Sequence, residues 1–306
     1  MLLLIKYTLL YGIVLMLVAL GGMFSEHSGV INIALEGIMV VGGLAGVLVT
    51  ASLPTTMAPA LIVLAAVVAA AVCGMLYSLL LAFASINLKA DQTIGGTALN
   101  MLATAIAMIL AKNFNGSTSA KISYTNKPFL FSIGGLELSI FIPLGIVLLV
   151  VSYIVMYKTR FGLRLRACGE HPQAADSVGI NVYRMRYAGV LISGFLGGLG
   201  GIVFITAGVS EWRFEYGVAG FGFLSLAVMI FGQWKPQRIA LAALLFGLFR
   251  ALSNVYMGFG FLTAMNIPSP VYNMMPYIIS LVVLAFTSKK SRAPKAEGIP
   301  YDKGQR

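Results

Sequence analysis

Residues 60–84 read ALIVLAAVVAAAVCGMLYSLLLAFA, a run of 25 residues without a charged side chain. A helix needs about 20 consecutive apolar residues to cross the hydrocarbon core of a bilayer, whereas a transmembrane β-strand needs only about 10. Backbone groups in lipid must also be satisfied internally, which excludes open sheet edges. The run therefore predicts a membrane-spanning helix, long enough to tilt or to break.

The same pattern recurs on both sides of this run. Nine candidate spans lie near 7–24, 29–50, 60–84, 93–111, 138–157, 187–208, 217–234, 238–257 and 271–287. If the third run is broken, the count rises to ten. We therefore expect an all-α fold, a polytopic transmembrane helical bundle of about nine to ten membrane elements.

The overall composition agrees with a chain that faces lipid over most of its area. Hydrophobic residues make up 59% of the chain, charged residues 10%, and the mean hydropathy is +0.91. A soluble domain usually has about a quarter charged residues. The apolar stretch after Lys6 lacks a convincing signal-peptidase site, so we interpret it as the first span.

The net charge of +11 is concentrated in short clusters between the apolar runs. The loop 158–186 and the tail 288–306 hold most of the basic residues, and alternating spans place both on one side. Basic loops mark the cytoplasmic side. The sequence thus predicts a plasma (inner) membrane protein with a transmembrane domain over 1–287, a basic cytoplasmic tail over 288–306 and, with nine full spans, an external N-terminus. A nucleic-acid partner is not expected.

Motifs for covalent chemistry do not occur in the sequence. There is no G-x-x-x-x-G-K-[ST] phosphate loop and no nucleophile elbow. With only His27 and His171, a histidine-based metal site is improbable, and Cys73 and Cys168 do not form a disulfide framework. We expect neither an enzyme, nor a bound cofactor, nor a metal.

The loop 158–186 contains one recognisable helix signal. Pro172 suits a first helical turn, alanines follow it, and Gly179 can end the helix in a left-handed cap. The pattern predicts a cytoplasmic helix of about two turns that exposes Ala174, Ala175 and Val178. From spacing alone, a docking helix and an ordinary interfacial loop remain equally open.

Three segments carry a resemblance to a known family. They are Gly169–Ile180 (GEHPQAADSVGI), Ser28–Gly37 (SGVINIALEG) and Phe231–Pro236 (FGQWKP). Together, and in the chain order expected for the family, they resemble ABC-type permeases of the branched-chain amino acid and simple-sugar family, and the nearest branch is the nucleoside-uptake permeases.

The resemblance implies a transport subunit without ATPase activity of its own. Its partners would be ABC ATPase subunits that bind the ATP, a second permease chain (identical or different) and an extracytoplasmic substrate-binding lipoprotein. The first segment would be the ATPase-coupling helix, with the residues Glu170, His171, Pro172, Ala174, Ala175, Asp176, Gly179 and Ile180.

Polar residues inside spans are the candidate solute contacts. Asn32 and Glu36 are four residues apart and share one helix face. An intramembrane carboxylate costs about 2.5–3.5 kcal/mol, so it is paired or faces a cavity. Glu36 could cap a broken helix, lie on the translocation path, or pair with Arg250. The candidate path residues are Asn32, Glu36, Asn100, Phe221 and Phe223.

Glycines suggest two further features. Gly194 and Gly198 have the small-xxx-small spacing that lets helices approach closely. The segments that begin at Gly29-Val30 and Gly217-Val218 are faintly similar, and transporter halves are often internal repeats.

Neutral nucleosides are the solutes that we favour. Uncharged polar side chains can hydrogen-bond a ribose or a base edge. Sugars, branched-chain amino acids or a vitamin remain alternatives within the family. An ion-coupled secondary transporter is the first rival class, and a membrane-embedded enzyme is the second.

Overall fold

A computed structural model describes residues 2–304 except 55, 117, 134–135, 208, 260–267 and 288–291. Its α-helices are α1 (Leu2–His27), α2 (Leu35–Ser52), α3 (Pro59–Ala82), α4 (Gln92–Asn115), α5 (Phe141–Lys158), α6 (Arg160–Glu170), α7 (Pro172–Ser177), α8 (Val182–Ile205), α9 (Phe221–Phe231), α10 (Pro236–Val255) and α11 (Ser269–Thr287). A π-helical turn over Phe83–Asn87 extends α3, and short 3-10 turns cover Lys127–Phe129, Phe214–Tyr216 and Tyr256–Gly258.

The chain is a multi-spanning membrane protein. Within the described residues, seven helices are long and apolar enough to cross a bilayer: α1 to α5, α8 and α10. Helix α1 lies at the centre, where every residue from Leu10 to Glu26 is buried. It packs against α8, α9, α10 and α5, while α2 fills the space between α3, α8 and α4.

Peripheral helices present apolar side chains outward, as lipid requires. On α3 these side chains recur every three or four residues and form one stripe along the helix: Leu61, Leu64, Val68, Val72, Leu76 and Leu80. The opposite face of α3 is buried and rich in small residues, among them Ala66, Ala70 and Gly74. The helix therefore faces lipid on one side and a neighbouring backbone on the other.

The small residues allow α2, α3 and α8 to touch along their backbones. A Cβ on Gly198 would overlap the carbonyl oxygen of Ala70 on α3, and one on Gly201 would overlap that of Met39 on α2. A Cβ on Gly194 would overlap the Ser78 side chain. The predicted packing role of the Gly194–Gly198 spacing is confirmed.

Two predicted spans differ from the structure. The run 29–50 is not one helix, because residues 28–34 are non-helical and α2 begins only at Leu35. The run 217–234 contains an eleven-residue helix, α9, which is too short to cross a bilayer. Both corrections have one cause, because apolar composition does not reveal where residues with positive φ interrupt a helical backbone. The interrupting residue before α2 is Gly29, and those before α9 are Gly217, Ala219 and Gly220.

Short strands cover one end of the bundle, an addition to the all-α expectation. Strand β1 (Lys121–Ser123) pairs antiparallel with β4 (Glu211–Arg213), in the register Ile122 opposite Trp212. Strands β2 (Leu130–Ile133) and β3 (Leu136–Ser139) form a hairpin. The start of α1 reaches this end, where Lys6 lies 3.5 Å from Glu137.

The opposite end carries the basic loop 158–186. Five elements meet there: the end of α1, the start of α8, helices α6 and α7, and the tail from Arg292 onward. Gly169 of α6 contacts His27 at the end of α1 and Ala296 in the tail. The N-terminal end of α1 and the basic loop therefore lie at opposite ends of the bundle.

Candidate functional site

The connection between α1 and α2 enters the bundle without helical hydrogen bonds. Side chains replace them: Ser25 Oγ donates to the Val30 carbonyl at 2.7 Å, and Gln92 Oε1 accepts from the Ile31 amide at 2.7 Å. Asn32 then donates through Nδ2 to Ser193 Oγ at 2.8 Å. Because Ser193 is halfway along α8, the chain has reached the middle of the bundle where α2 begins.

Asn100 on α4 holds the start of α2. Its Oδ1 accepts from the Gly37 amide at 2.7 Å, and its Nδ2 donates to the Ile33 carbonyl at 2.9 Å. Both ends of the amide are thus used by backbone groups that would otherwise lack partners in a dry interior. This predicted path residue supports the backbone in the described structure.

Glu36 joins two helix N-termini. It lies in the first turn of α2, and its two carboxylate oxygens accept from the amides of Gly220 at 2.8 Å and Gly222 at 2.7 Å, at the start of α9. The partial positive charges of both helix ends favour an acceptor there. A Cβ on Gly222 would lie 2.5 Å from the Glu36 Cα, so the two backbones are in contact.

Helices α2 and α9 run in opposite directions from this junction. Helix α2 continues beside the second half of α8 towards the strand-covered end, as the contacts of Gly42 and Gly46 with α8 show. Helix α9 leads to Trp234, whose indole Nε1 donates to Glu26 at the other end. The faintly similar segments at Gly29 and Gly217 therefore precede two oppositely directed helices, the geometry of an inverted transporter repeat.

Phe221 and Phe223 occupy different environments. Phe221 is fully buried, with its ring centroid 4.2 Å from that of Phe204 and 5.5 Å from that of Tyr11. Phe223 is 47% exposed on the outer face of α9. Only Phe223 of the pair is accessible on the surface of this chain.

The proposed pair of Glu36 and Arg250 is not an ion pair in this structure. Among the described residues the salt bridges are Lys6–Glu137, Lys89–Asp302 and Lys121–Glu211. The Arg250 guanidinium lies 5.4 Å above the Phe221 ring instead. The reason is that backbone amides, which the sequence pattern does not show, already occupy both oxygens of Glu36.

The third family-like segment forms the turn between α9 and α10. Gln233 and Trp234 both adopt positive φ, 51° and 53°, and Trp234 is buried. Its carbonyl lies 3.2 Å from His27 Nε2 at the end of α1. This turn therefore anchors the short helix α9 to the central helix.

The predicted coupling helix is present, and a second helix precedes it. Helix α7 begins with Pro172 at N1 and is followed by Gly179 at φ 83°, which confirms both local signals. Helix α6 was missed, although its apolar positions Phe161, Leu165 and Cys168 follow helical spacing. Its Gly169 packs on the His27 carbonyl, so the end of α6 rests directly on α1.

One face of α7 is turned inward, contrary to expectation. Ala175 is only 3% exposed and packs with Cys168, Val182 and Tyr301. Ala174 and Ser177 are exposed, and Val178 is 74% exposed. Of the other proposed coupling residues, Pro172 is buried, Asp176 and Ile180 are partly buried, and Glu170, His171 and Gly179 are exposed. Burial also raises the pKa of the Cys168 thiol to about 11, which makes it a packing residue rather than a reactive one.

Several residues that build the site were not among the candidates. Glu26 accepts a hydrogen bond from the Trp234 indole, and Gln92 accepts one from the Ile31 amide. Arg186 is only 1% exposed and packs against Gly29. The position of Glu26 at the end of an apolar run was a usable signal. The partners of Gln92 and Arg186 are distant in sequence, so no local pattern could have indicated them.

The fold and this junction define a polytopic permease, in which the N-termini of two helices meet inside the bundle and a short helix lies in the basic loop at one end. Residues 4–286 match the family described as the permease component of the branched-chain amino acid transport system. The chain belongs to this family.

Curated relatives are similar over nearly the whole chain. The nucleoside ABC transporter permease protein NupC of Lactococcus lactis is 42% identical over 97% of this chain and 96% of its own. The guanosine ABC transporter permease protein NupQ of Bacillus subtilis is 41% identical over 98% and 96%. The putative glucose ABC transporter permease protein TsgC13 of Haloferax volcanii is 30% identical over 89% and 88%. No solved structure matches this chain.

Proposed function

We propose that this chain is a permease subunit of an ATP-binding-cassette importer that moves nucleosides across the plasma membrane. The observation that carries the proposal is the sequence identity of 41–42%, over nearly the full length, with two permeases named for nucleoside and guanosine transport. The junction of α2 and α9 supports a solute path, since transporters place their sites where half-helices meet near the bilayer midplane.

The surface around the junction suits an uncharged solute. A cleft of about 260 Å³ at the strand-covered end is bordered by Glu211, Trp212, Arg213, Tyr216 and Ala219. It leads from the exposed aromatic ring of Tyr216 to Ala219, one residue before Gly220 at the start of α9. Aromatic faces stack on nucleobases. The Glu36 oxygens accept from backbone amides and the Glu211 carboxylate pairs with Lys121, so both of these carboxylates already have partners.

The remaining assignments follow from this function. Helix α7 would dock on a cytoplasmic ABC ATPase, which binds and hydrolyses the ATP, and the tail would lie on the same side. A second permease chain would complete the solute path, and a binding lipoprotein would deliver the solute from outside. The exposed Phe223 would face the path, and Asn32 would line it through its Oδ1, which has no hydrogen-bond partner among the described residues.

Deletion of the chain should abolish nucleoside uptake. We expect uptake of radiolabelled guanosine, adenosine and uridine by intact cells to fall to background, and to return when the chain is restored. Uptake should also be lost when the partner ATPase carries an inactive phosphate loop, which distinguishes this importer from an ion-coupled carrier. Unchanged nucleoside uptake with loss of glucose or leucine uptake would reject the solute, and uptake without the ATPase would reject the class.

A charge at the exposed C-terminal end of α7, where Val178 is the capping residue, should weaken ATPase binding. In Val178→Asp a carboxylate would be buried without a partner in the docked state, at about 2 kcal/mol or more, which is roughly 30-fold in affinity. Co-purification of the ATPase with the permease measures this loss. The matched control is Val209→Asp, an exposed valine at the strand-covered end. Equal recovery of the ATPase with both variants would refute docking through α7.

A further inference from the structure

The C-terminal segment is docked along the cytoplasmic end of the bundle. The described residues 292–304 belong to the predicted basic tail, yet Pro294, Ala296 and Tyr301 are buried. The Ala296 amide donates to the Gly169 carbonyl at 2.8 Å, at the end of α6. A segment with buried side chains and backbone bonds to the bundle is part of the fold.

The same segment also reaches the connection that leads to the junction. The Gly298 amide donates to the Gly29 carbonyl at 3.2 Å. Gly298 has φ 75°, and a Cβ there would lie 2.8 Å from Ile31 Cδ1. Gly29 and Ile31 lie three residues and one residue before Asn32, so this contact joins the tail to the non-helical backbone that enters the bundle.

Tyr301 contacts the inward face of the coupling helix. It is 4% exposed and packs with Cys168 of α6, Ala175 of α7 and Val182 at the start of α8. Its ring lies 5.4 Å from that of Tyr183, edge to face. One residue further, Asp302 pairs with Lys89 at 3.1 Å, two residues before the N-cap of α4.

We infer that residues 294–302 form a strap that positions the coupling helix and ties its movement to the backbone before the junction. The strap is hydrogen-bonded to α6 and packs against the inward face of α7. It is also hydrogen-bonded to the α1–α2 connection and forms an ion pair with Lys89 just before α4. These are the two elements that carry Asn32 and Asn100. A displacement of α7 is therefore transmitted to the junction through packed side chains and backbone bonds rather than through α6 alone.

Tyr301 is accordingly a positioning residue for transport. The inference rests on the proposed coupling role of α7. Removing the ring in Tyr301→Ala leaves a gap beneath Ala175, so that α7 can bind the ATPase and move without moving the junction. We expect the number of nucleosides transported per ATP hydrolysed to fall roughly tenfold, with ATP hydrolysis and ATPase co-purification retained.

The test uses the complete transporter in proteoliposomes with the binding protein and radiolabelled guanosine. Uptake and ATP hydrolysis are measured on the same vesicles for the wild type, Tyr301→Ala, Tyr301→Phe and Ile299→Ala. Tyr301→Phe keeps the ring and should keep most of the wild-type ratio. Ile299 is 57% exposed on the same strap and serves as the matched control.

Two results would overturn the inference. One is a wild-type ratio of uptake to hydrolysis in Tyr301→Ala. The other is a parallel loss of uptake, hydrolysis and monodisperse protein, which would assign the tail to folding only. A chain ended after residue 291 gives a second measurement, and should hydrolyse ATP while transporting little. If the wild type itself takes up no guanosine, the proposed function fails instead.

Discussion

Glu36→Ala is expected to reduce uptake to background and to destabilise the permease by about 3–5 kcal/mol. The substitution leaves the amides of Gly220 and Gly222 without acceptors at the start of α9. A hydrogen bond to a charged group contributes about 1.5–3 kcal/mol, and no water in the bilayer core replaces it. Thermal unfolding in detergent and radiolabelled uptake measure the two losses.

Glu36→Gln separates charge from shape at the same position. It keeps one acceptor oxygen and turns an amide donor towards the other N–H group, so we expect a loss of about half that of alanine. The control is Glu137→Gln, whose carboxylate is 64% exposed beside Lys6 and should be neutral. If Glu36 served the solute rather than the backbone, KM would rise while the unfolding midpoint stayed unchanged.

The same experiment resolves the relation of Glu36 to Arg250. A direct buried pair would make the double variant less harmful than the single ones. Because Arg250 stacks on Phe221 and the Glu36 oxygens bond to backbone amides, we expect the effects of Glu36→Gln and Arg250→Gln to add within about 0.5 kcal/mol. A strongly non-additive double variant would restore the paired interpretation.

Gly201→Ala is expected to prevent stable folding. Its Cβ would overlap the carbonyl oxygen of Met39 and lie 2.9 Å from the Gly43 amide. Overpacking typically costs about 1–3 kcal/mol, and we expect at least the upper value, because backbone atoms cannot rotate away as a side chain can. Monodisperse yield in detergent and the unfolding midpoint measure the effect.

Gly95→Ala is the matched control for this packing effect. Gly95 also lies in a helix, α4, but nothing lies within 4 Å of an added Cβ. Alanine there should raise stability by up to about 0.8–1.0 kcal/mol through helix propensity. Equal midpoints for the two alanine variants would show that α2 and α8 are not in backbone contact in the membrane.

The junction explains why several intramembrane polar groups were assigned to the path. Polar side chains in lipid serve either a solute or an unsatisfied backbone. At a helix break the second need is large, and the candidate path residues Glu36 and Asn100 both meet it, as does Gln92, which was not a candidate. A sequence shows the polar side chain but not the amide that it accepts from, so the two uses look identical.

Local signals were sufficient for the coupling segment and insufficient for its surroundings. Pro172 restricts its own φ angle and Gly179 permits a positive one, so the start and end of α7 were predictable from these two residues. The inward turn of Ala175 depends on Tyr301, which is 126 residues away in the chain. Likewise, the faint repeat at Gly29 and Gly217 was visible, but not the opposite directions of the helices that follow.

The sequence by itself determined the lipid environment, the helical class, the family and the short helix α7 in the basic loop. These properties depend on composition, on apolar runs long enough to cross a bilayer, and on short motifs of adjacent residues. Only the tertiary structure decided that α2 and α9 begin inside the bundle, that Glu36 joins them, and that the tail straps α7 to the α1–α2 connection. Those features depend on hydrogen bonds to backbone amides and on close contacts between residues far apart in sequence, and a hydropathy pattern shows neither of these.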